Sequence, residues 1–148
     1  MSPWPLLASG AGIGYAPKAP GTFGSFAGLM LGWALLSGGH GLLLLGVAVV
    51  TLLGLYAIGQ LPHAAHDPGW IVIDEIAGQM LAMLALPHPS FIGLVLCFAL
   101  FRLFDILKPG PVAWADRRDD EFGIMGDDLI AGLLAALVIW LLRLVWPL

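Results

Sequence analysis

The sequence predicts an all-α, multi-helical integral membrane bundle with about four membrane-crossing helices and one short, partly inserted helix. Of the 148 residues, 59% are hydrophobic and only 11% are charged, which is too little charge to cover an ordinary soluble domain. Residues 19–66 and 76–101 contain no Lys, Arg, Asp or Glu, and both segments can cross a hydrocarbon core of about 30 Å. No repeat or composition break divides the chain, so we expect residues 1–148 to form a single domain.

The first elements are a loop and two helices. Residues 10–21 are rich in Gly and Pro and predict a loop that carries Lys18, and nothing before it resembles a secretory signal. A helix should begin near Thr22 and end at the small residues 37–39, with His40 at the far interface. A second helix is predicted over residues 41–61, where Pro62 ends it.

The next apolar stretch is interrupted by the sequence Pro-His-Pro at residues 87–89. The first piece, residues 76–86, is short for a full crossing, so we expect a partly inserted helix buried against its neighbours. The second piece, residues 90–101, should continue as a helix to residue 107. A polar loop over residues 110–126 and a last helix over residues 127–146 complete the prediction.

Charge distribution predicts the topology of this bundle. In the predicted helix order, every Lys, Arg, Asp and Glu except Arg143 lies at the same end of the apolar segments. The bias of Lys and Arg marks that end as cytoplasmic and leaves the C-terminus outside.

Two acidic doublets each precede an apolar helix. They are Asp74-Glu75 and Asp127-Asp128. Capping of helix N-termini by carboxylates explains part of this pattern. Because two doublets recur beside the membrane, we favour an oxygen-rich site for a hard cation such as Mg2+.

A third acid lies in a helix with two basic residues. Arg102, Asp105 and Lys108 are three residues apart, so a helix would place them on one broad face. An interfacial ladder of ion pairs is one interpretation. In the other interpretation, Asp105 is a metal ligand and the two basic residues bind a phosphate. The planar guanidinium of Arg can donate two parallel hydrogen bonds to phosphate, and the Lys ammonium acts as a point charge.

A further candidate phosphate site precedes the first long helix. Thr22 and Ser25 stand among glycines at a predicted helix start, where either hydroxyl can serve as a cap. The alternative groups Lys18, both hydroxyls and free backbone N–H groups around an anion. The lysine comes before the glycines, so the segment is not a Walker loop.

The remaining polar residues favour simpler interpretations. His63 and His66 have the spacing of a transition-metal site, but the neighbouring acids favour harder metals. Residues 119–121 read as a solvated acidic loop, with Asp116 as an accessory or orienting group. The lone Cys97 excludes an internal disulfide, and the lack of a basic, aromatic-rich run argues against a nucleic-acid partner.

Four ordered motifs resemble one family, the phosphatidylglycerophosphatase A family of bacterial lipid phosphatases. The resemblance covers nearly the whole chain. The motifs are Gly-Tyr-Ala-Pro-Lys-Ala-Pro-Gly-Thr-Phe-Gly-Ser at residues 14–25, Ile-Val-Ile-Asp-Glu at 71–75, Phe-Arg-Leu-Phe-Asp-Ile-Leu-Lys-Pro at 101–109, and Gly-Ile-Met at 123–125 followed by Asp127-Asp128 and Ala131-Gly132.

The resemblance implies a Mg2+-dependent, multi-pass enzyme of the bacterial inner membrane with its active face toward the cytoplasm. Such an enzyme hydrolyses phosphatidylglycerophosphate to phosphatidylglycerol and inorganic phosphate. The acidic motif positions fall on Asp74, Glu75, Asp105, Asp127 and Asp128, for which we predict catalytic and metal-binding roles. Arg102, Lys108, Thr22 and Ser25 match other motif positions, and with Lys18 they are the predicted phosphate ligands. The oligomeric state and the attacking group, water or a carboxylate, stay open.

Two non-enzymatic functions compete with this prediction. Acids beside membrane spans also mark cation transporters or channels, although here the acids gather at one end. A scaffold subunit would use the glycines to pack against another membrane protein. The acidic motif of CDP-alcohol transferases and the Pro-Ser-Gly-His motif of PAP2-type phosphatases are both missing.

Overall fold

The computed structural model describes residues 2–62 and 68–148, which form a bundle of seven α-helices. The helices are α1 (Trp4–Ala8), α2 (Pro20–Ser37), α3 (His40–Gly59), α4 (Ile73–Ala82), α5 (Phe91–Leu107), α6 (Pro111–Asp116) and α7 (Glu121–Leu142). Short 3₁₀ turns follow at Ile13–Tyr15 and Met83–Ala85. The prediction of an all-α fold is confirmed.

Helix α4 is the centre of the bundle. Eight of its ten residues are buried, and it packs against α2, α3, α5 and α7. Its buried side chains join two apolar clusters, one around Met80 and Met83 and one around Ile73 and Ala77. The short, enclosed helix expected after residue 76 is therefore present, although it begins three residues earlier, at Ile73.

Helices α4 and α7 approach each other closely because glycines meet at their crossing. A Cβ added to Gly132 of α7 would overlap the carbonyl oxygen of Gly78 in α4. A Cβ added to Gly78 would in turn overlap the backbone carbonyl of Asp128. Small residues at a helix crossing let the two backbones come into contact. This contact fixes the relative height of the two helices.

The end of the bundle opposite the acids is closed by hydrogen bonds to the last turn of the central segment. A ring nitrogen of His40, Nε2, lies 2.7 Å from the carbonyl oxygen of Leu86. The guanidinium of Arg143 donates to the carbonyl oxygen of Ala85 over 2.7 Å. Carbonyl groups at a helix end have no partner within the helix, so these side chains supply one. Arg143, the one charge outside the predicted pattern, thus has a structural role.

The predicted loop over residues 110–126 was wrong. Pro111 opens the short helix α6, because proline suits the first position of a helix, where no N–H partner is needed. Helix α7 begins at Glu121 instead of residue 127, and the carboxylate of Asp120 caps it by accepting from the Gly123 N–H at 2.8 Å. Asp127 and Asp128 therefore lie inside a helix and do not cap one.

Two smaller differences concern the N-terminal part of the chain. Helix α1 has no counterpart in the sequence prediction, and α2 begins at Pro20 instead of near Thr22. Pro20 again occupies the first turn, and Ala19 before it adopts a left-handed conformation with φ of 48°. The prolines that indicated only a loop thus also start helices.

Two helices within the described ranges are long and apolar enough to cross a membrane. These are α3, with 20 residues, and α7, with 22 residues. Length and composition alone thus support two crossing helices, fewer than the four predicted. Large apolar side chains are exposed on the outer faces of α3, α5 and α7, for example Leu52, Phe91 and Leu137.

Candidate active site

Three carboxylates converge where the first turn of α4 lies against α7. Asp74 and Glu75 lie in the first turn of α4, and Asp128 lies in the third turn of α7. One oxygen from each can be chosen so that all three lie within 4.8 Å of one another. Asp74 and Asp128 are buried, with only 2% and 3% of their surfaces exposed to solvent. This acidic triad is a site that can hold a metal ion.

The glycine crossing explains why the triad forms. Asp74 precedes Gly78 by four residues, and Asp128 precedes Gly132 by four residues. Residues four apart lie on the same face of a helix, one turn along its axis. Both carboxylates therefore stand one turn above the same backbone contact, on neighbouring helices that begin at the same end of the bundle.

Helix α5 brings a cation and a fourth acid to the triad. The guanidinium of Arg102 forms an ion pair with Asp105 and donates a hydrogen bond to Ser25 Oγ over 3.4 Å. The carboxylate of Asp105 lies close enough to Asp128 for the two negative charges to act on each other. Arg102 thus stands between α2 and α5 beside the acids, where a phosphate oxygen could accept from it.

The fifth acid is paired with lysine. Lys108 Nζ lies 2.7 Å from Asp127 Oδ2 and 2.6 Å from Asp116 Oδ1. Lys108 ends α5 in a left-handed conformation, φ 48°, so it does not continue the helical face of Arg102 and Asp105 as predicted. Asp116 contacts Lys108, and its role as an accessory ligand or orienting group stays a prediction. The other Asp127 oxygen accepts from the Asp128 N–H at 2.8 Å.

The pKa of Lys108 is raised by these contacts. Partial burial lowers it, but the hydrogen bonds to Asp116 and Asp127, together with their negative charges, raise the pKa above the ordinary lysine value. Lys108 is therefore a permanent positive charge next to the carboxylates at any physiological pH.

The predicted phosphate residues on α2 and just before it occupy different environments. Ser25 is fully buried, and its hydroxyl donates to the Gly21 carbonyl oxygen at 2.8 Å while it accepts from Arg102. Thr22 is partly exposed and Lys18 is exposed. Gly21 lies against Glu75, whose Oε1 would overlap a Cβ at that position. Phosphate binding by Lys18, Thr22 and Ser25 stays a prediction.

Comparison with known proteins identifies the family of this chain. A family profile described as "Phosphatidylglycerophosphatase A" matches residues 6–143. The chain belongs to this family. No solved structure matches it.

Three named proteins are similar to this chain over nearly its whole length. A Haemophilus influenzae protein named phosphatidylglycerophosphatase A is 41% identical over 147 residues, covering 97% of this chain and 90% of the relative. An Escherichia coli protein of the same name is 36% identical over 157 residues, covering 99% and 87%. A Bacteroides thetaiotaomicron protein provisionally named a phosphatidylinositol-3-phosphatase is 34% identical over 146 residues, covering 93% and 92%.

These comparisons confirm the resemblance and the enzyme class predicted from the sequence. The chain is a lipid phosphomonoesterase of the phosphatidylglycerophosphatase A family, which acts in phosphatidylglycerol biosynthesis. The acidic residues are explained by this enzyme class, without the alternative interpretations of a transporter or a scaffold subunit.

Sequence reasoning missed Gln79 of this family member. The residue follows Glu75 by one helical turn on α4 and is fully buried. Neither its amide oxygen nor its amide nitrogen has a hydrogen-bond partner among the described residues. Its Cβ lies where α4 meets Gly28 of α2. A polar residue inside an apolar segment was the available signal. The predicted alternative at His63 and His66 lies outside the described residues.

Proposed function

We propose that the chain hydrolyses phosphatidylglycerophosphate with a Mg2+ ion held by Asp74, Glu75 and Asp128. In the net reaction the phosphorus–oxygen bond to glycerol breaks, water supplies a hydroxyl group to phosphorus and a proton to the glycerol oxygen, and phosphatidylglycerol and inorganic phosphate leave. The approach of the three carboxylates to within 4.8 Å carries this proposal. The names of the two phosphatidylglycerophosphatase A relatives support the substrate.

The donor set suits Mg2+. All three side chains offer oxygen, and hard divalent cations prefer carboxylate oxygens, whereas nitrogen and sulfur ligands favour softer metals. Buried carboxylates this close together repel one another, and a divalent cation relieves that repulsion. A bound Mg2+ supplies charge neutralisation for the phosphoryl oxygens and a more acidic water.

Asp105 and Asp127 act beside the metal in this proposal. Each is in contact with a cation, Asp105 with Arg102 and Asp127 with Lys108. The two acids hold these cations toward the triad, and the cations bind the remaining phosphate oxygens. Direct ligation by Asp105 or Asp127, as the family motifs imply, stays a prediction.

Thr22, Ser25 and Lys18 complete the phosphate site on the α2 side. Ser25 positions Arg102 through the hydrogen bond to its hydroxyl. Thr22 and Lys18 precede it by three and seven residues, at the end of the bundle where Arg102 lies. A phosphate held there would face cations from α5 and from the start of α2.

The bundle acts as a single multi-pass domain of the bacterial inner membrane. We assign four crossings to α2, α3, α5 and α7, with α4 partly inserted among them. Large apolar side chains on the outer faces of α3, α5 and α7 support this, because such surfaces are costly in water. The Lys and Arg bias assigns the site to the cytoplasmic face, where a lipid phosphate can reach it.

Metal dependence tests the central part of the proposal. Phosphate release by the purified chain should stop with EDTA and return with Mg2+. Asp128→Asn should lower kcat by at least about 100-fold and abolish the Mg2+-dependent rise in melting temperature. The matched control is Asp119→Asn, an exposed acid outside the triad, which should retain both. Full activity and unchanged metal stabilisation of Asp128→Asn would reject the site.

A substrate comparison tests the headgroup. Phosphatidylglycerophosphate, phosphatidic acid and phosphatidylinositol 3-phosphate are offered separately in mixed micelles with Mg2+. Preference for phosphatidylglycerophosphate in kcat/KM supports the proposal. A preference for the inositol lipid would instead align this chain with the name of the Bacteroides relative.

A further inference from the structure

An apolar groove runs along the seam between α2 and α5. Its volume is about 390 Å³, within the range of ligand-binding cavities. The seven lining residues are Phe26, Leu29, Phe91, Leu94, Val95, Phe98 and Ala99. None of them carries a charge or a side-chain polar group, so the groove suits a hydrocarbon occupant.

The groove begins one helical turn from the candidate active site. Phe98 precedes Arg102 by four residues on α5, and Phe26 directly follows Ser25 on α2. Arg102 and Ser25 are hydrogen-bonded to each other, so their neighbours on the two helices lie at a common depth. The end of the groove at Phe26 and Phe98 therefore lies about one helical turn from the place where the phosphate would bind.

The groove also has the direction that a membrane lipid requires. Val95 and Phe91 precede Arg102 by seven and eleven residues. At about 1.5 Å per residue, they lie about 10 Å and about 16 Å farther along the helix. The groove therefore leads away from the charged end of the bundle, parallel to α5.

Several side chains that line the groove are exposed on the outer surface of the bundle, whereas Asp74 and Asp128 of the candidate active site are buried. Phe26, Val95 and Phe91 expose 52%, 50% and 81% of their surfaces. Another cavity bordering Phe91 is lined by the C-terminal residues Trp146, Pro147 and Leu148 and does not include Phe98 or Ala99. The α2–α5 groove, in contrast, extends from Phe91 to Phe98, one helical turn before Arg102.

We propose that the α2–α5 groove binds an acyl chain of the phospholipid substrate. This inference rests on the proposed function, since the phosphate must bind beside Arg102 for the chain to enter at Phe98. The groove contributes affinity through hydrocarbon burial and sets the height of the headgroup relative to the acids. A substrate with short chains would not reach Val95 and would gain little from it.

The test fills the groove without touching the acids or cations. Val95→Trp adds bulk inside it, and Val49→Trp is the matched control on α3, because Val49 exposes 45% of its surface and does not line the groove. Dioleoyl and dihexanoyl phosphatidylglycerophosphate are compared in kcat and KM. Val95→Trp should raise KM for the dioleoyl substrate about tenfold and leave the dihexanoyl values unchanged. Val49→Trp should match the wild type on both.

Each outcome decides a separate point. Equal effects of Val95→Trp on both substrates, or no effect on either, overturn the groove while the phosphatase activity stands. No phosphate release by the wild type overturns the proposed function itself. If the wild type is dimeric and Val95→Trp is monomeric, a second copy of the chain covers the groove and the proposal fails. Should Val95→Trp not fold, Ala99→Leu serves as the milder filling variant with the same expectation.

Discussion

Lys108 and Asp127 form an ion pair of 2.7 Å that ties the end of α5 to the interior of α7. Asp127 is 3% exposed, whereas Lys108 is partly exposed and also contacts Asp116. A buried carboxylate needs this cation, since removal of one partner leaves an uncompensated charge. The pair therefore connects the stability of the bundle to the geometry of the acids next to it.

Lys108→Met should lower the free energy of unfolding by about 2 kcal/mol, because Asp127 loses its cation. Thermal unfolding in detergent measures the change. Adding Asp127→Asn to Lys108→Met should recover part of the loss, since the neutral amide needs no cation. The comparison variant is Arg118→Met, which breaks the exposed pair with Asp120 and should cost less. Equal losses at both sites would contradict this account.

Stability should depend on Lys108 at high pH. Its folded-state pKa is raised, so the folded chain holds this proton more tightly than the unfolded chain does. The resulting stabilisation is complete below the ordinary value of 10.5 and declines as the pH rises above it. Melting curves between neutral pH and pH values above 10.5 should converge for wild type and Lys108→Met. A constant difference between them across this range would show that the charge does not stabilise the fold.

Gly132→Ala should destabilise the bundle by about 1–3 kcal/mol, because a methyl group there overlaps the Gly78 backbone and forces α4 and α7 apart. The variant should also lose most of its activity even at temperatures where it stays folded, because Asp74 and Asp128 lie on the two helices that move apart. Gly126→Ala is the control on the same helix, where the added Cβ meets only Ala115 at 3.7 Å. That variant should be neutral or more stable by up to about 1 kcal/mol. Equal melting temperatures of the two variants would argue against the glycine contact.

Gln79→Leu should raise the free energy of unfolding by about 1–3 kcal/mol, because the amide oxygen and the amide nitrogen are both buried without a hydrogen-bond partner among the described residues. Gln79→Glu, of similar volume, should be strongly destabilising, because its carboxyl group must either be buried as a charge or take up a proton on folding. Melting temperatures of the three proteins in detergent provide the measurement. A lower melting temperature for Gln79→Leu would mean that the amide is satisfied in the folded protein, for example by water.

Much of the fold followed from local sequence. Long uncharged segments predicted α2, α3 and α5, and the Pro-His-Pro interruption predicted the short enclosed helix α4, because helix length and proline effects are local properties. The start of α7 was misplaced, since glycines at residues 123 and 126 resemble a loop. Only the cap at Asp120 and the packing of those glycines allow the helix to begin earlier.

The sequence by itself determined the family, the enzyme class and the set of residues with suitable chemistry. Residue types and their spacing in four motifs carry that information, and the one-sided charge is visible without coordinates. The sequence did not reveal that Lys108 would leave the helical face of Arg102.

Tertiary structure decided which acids meet. Asp74 and Asp128 are far apart in sequence, and their convergence depends on the contact between Gly78 and Gly132 one turn below them. Likewise, Lys108 reaches Asp127 only because the chain turns at a left-handed residue. Contacts between helices depend on which faces pack and at what height, and this arises from the packing of all the helices together.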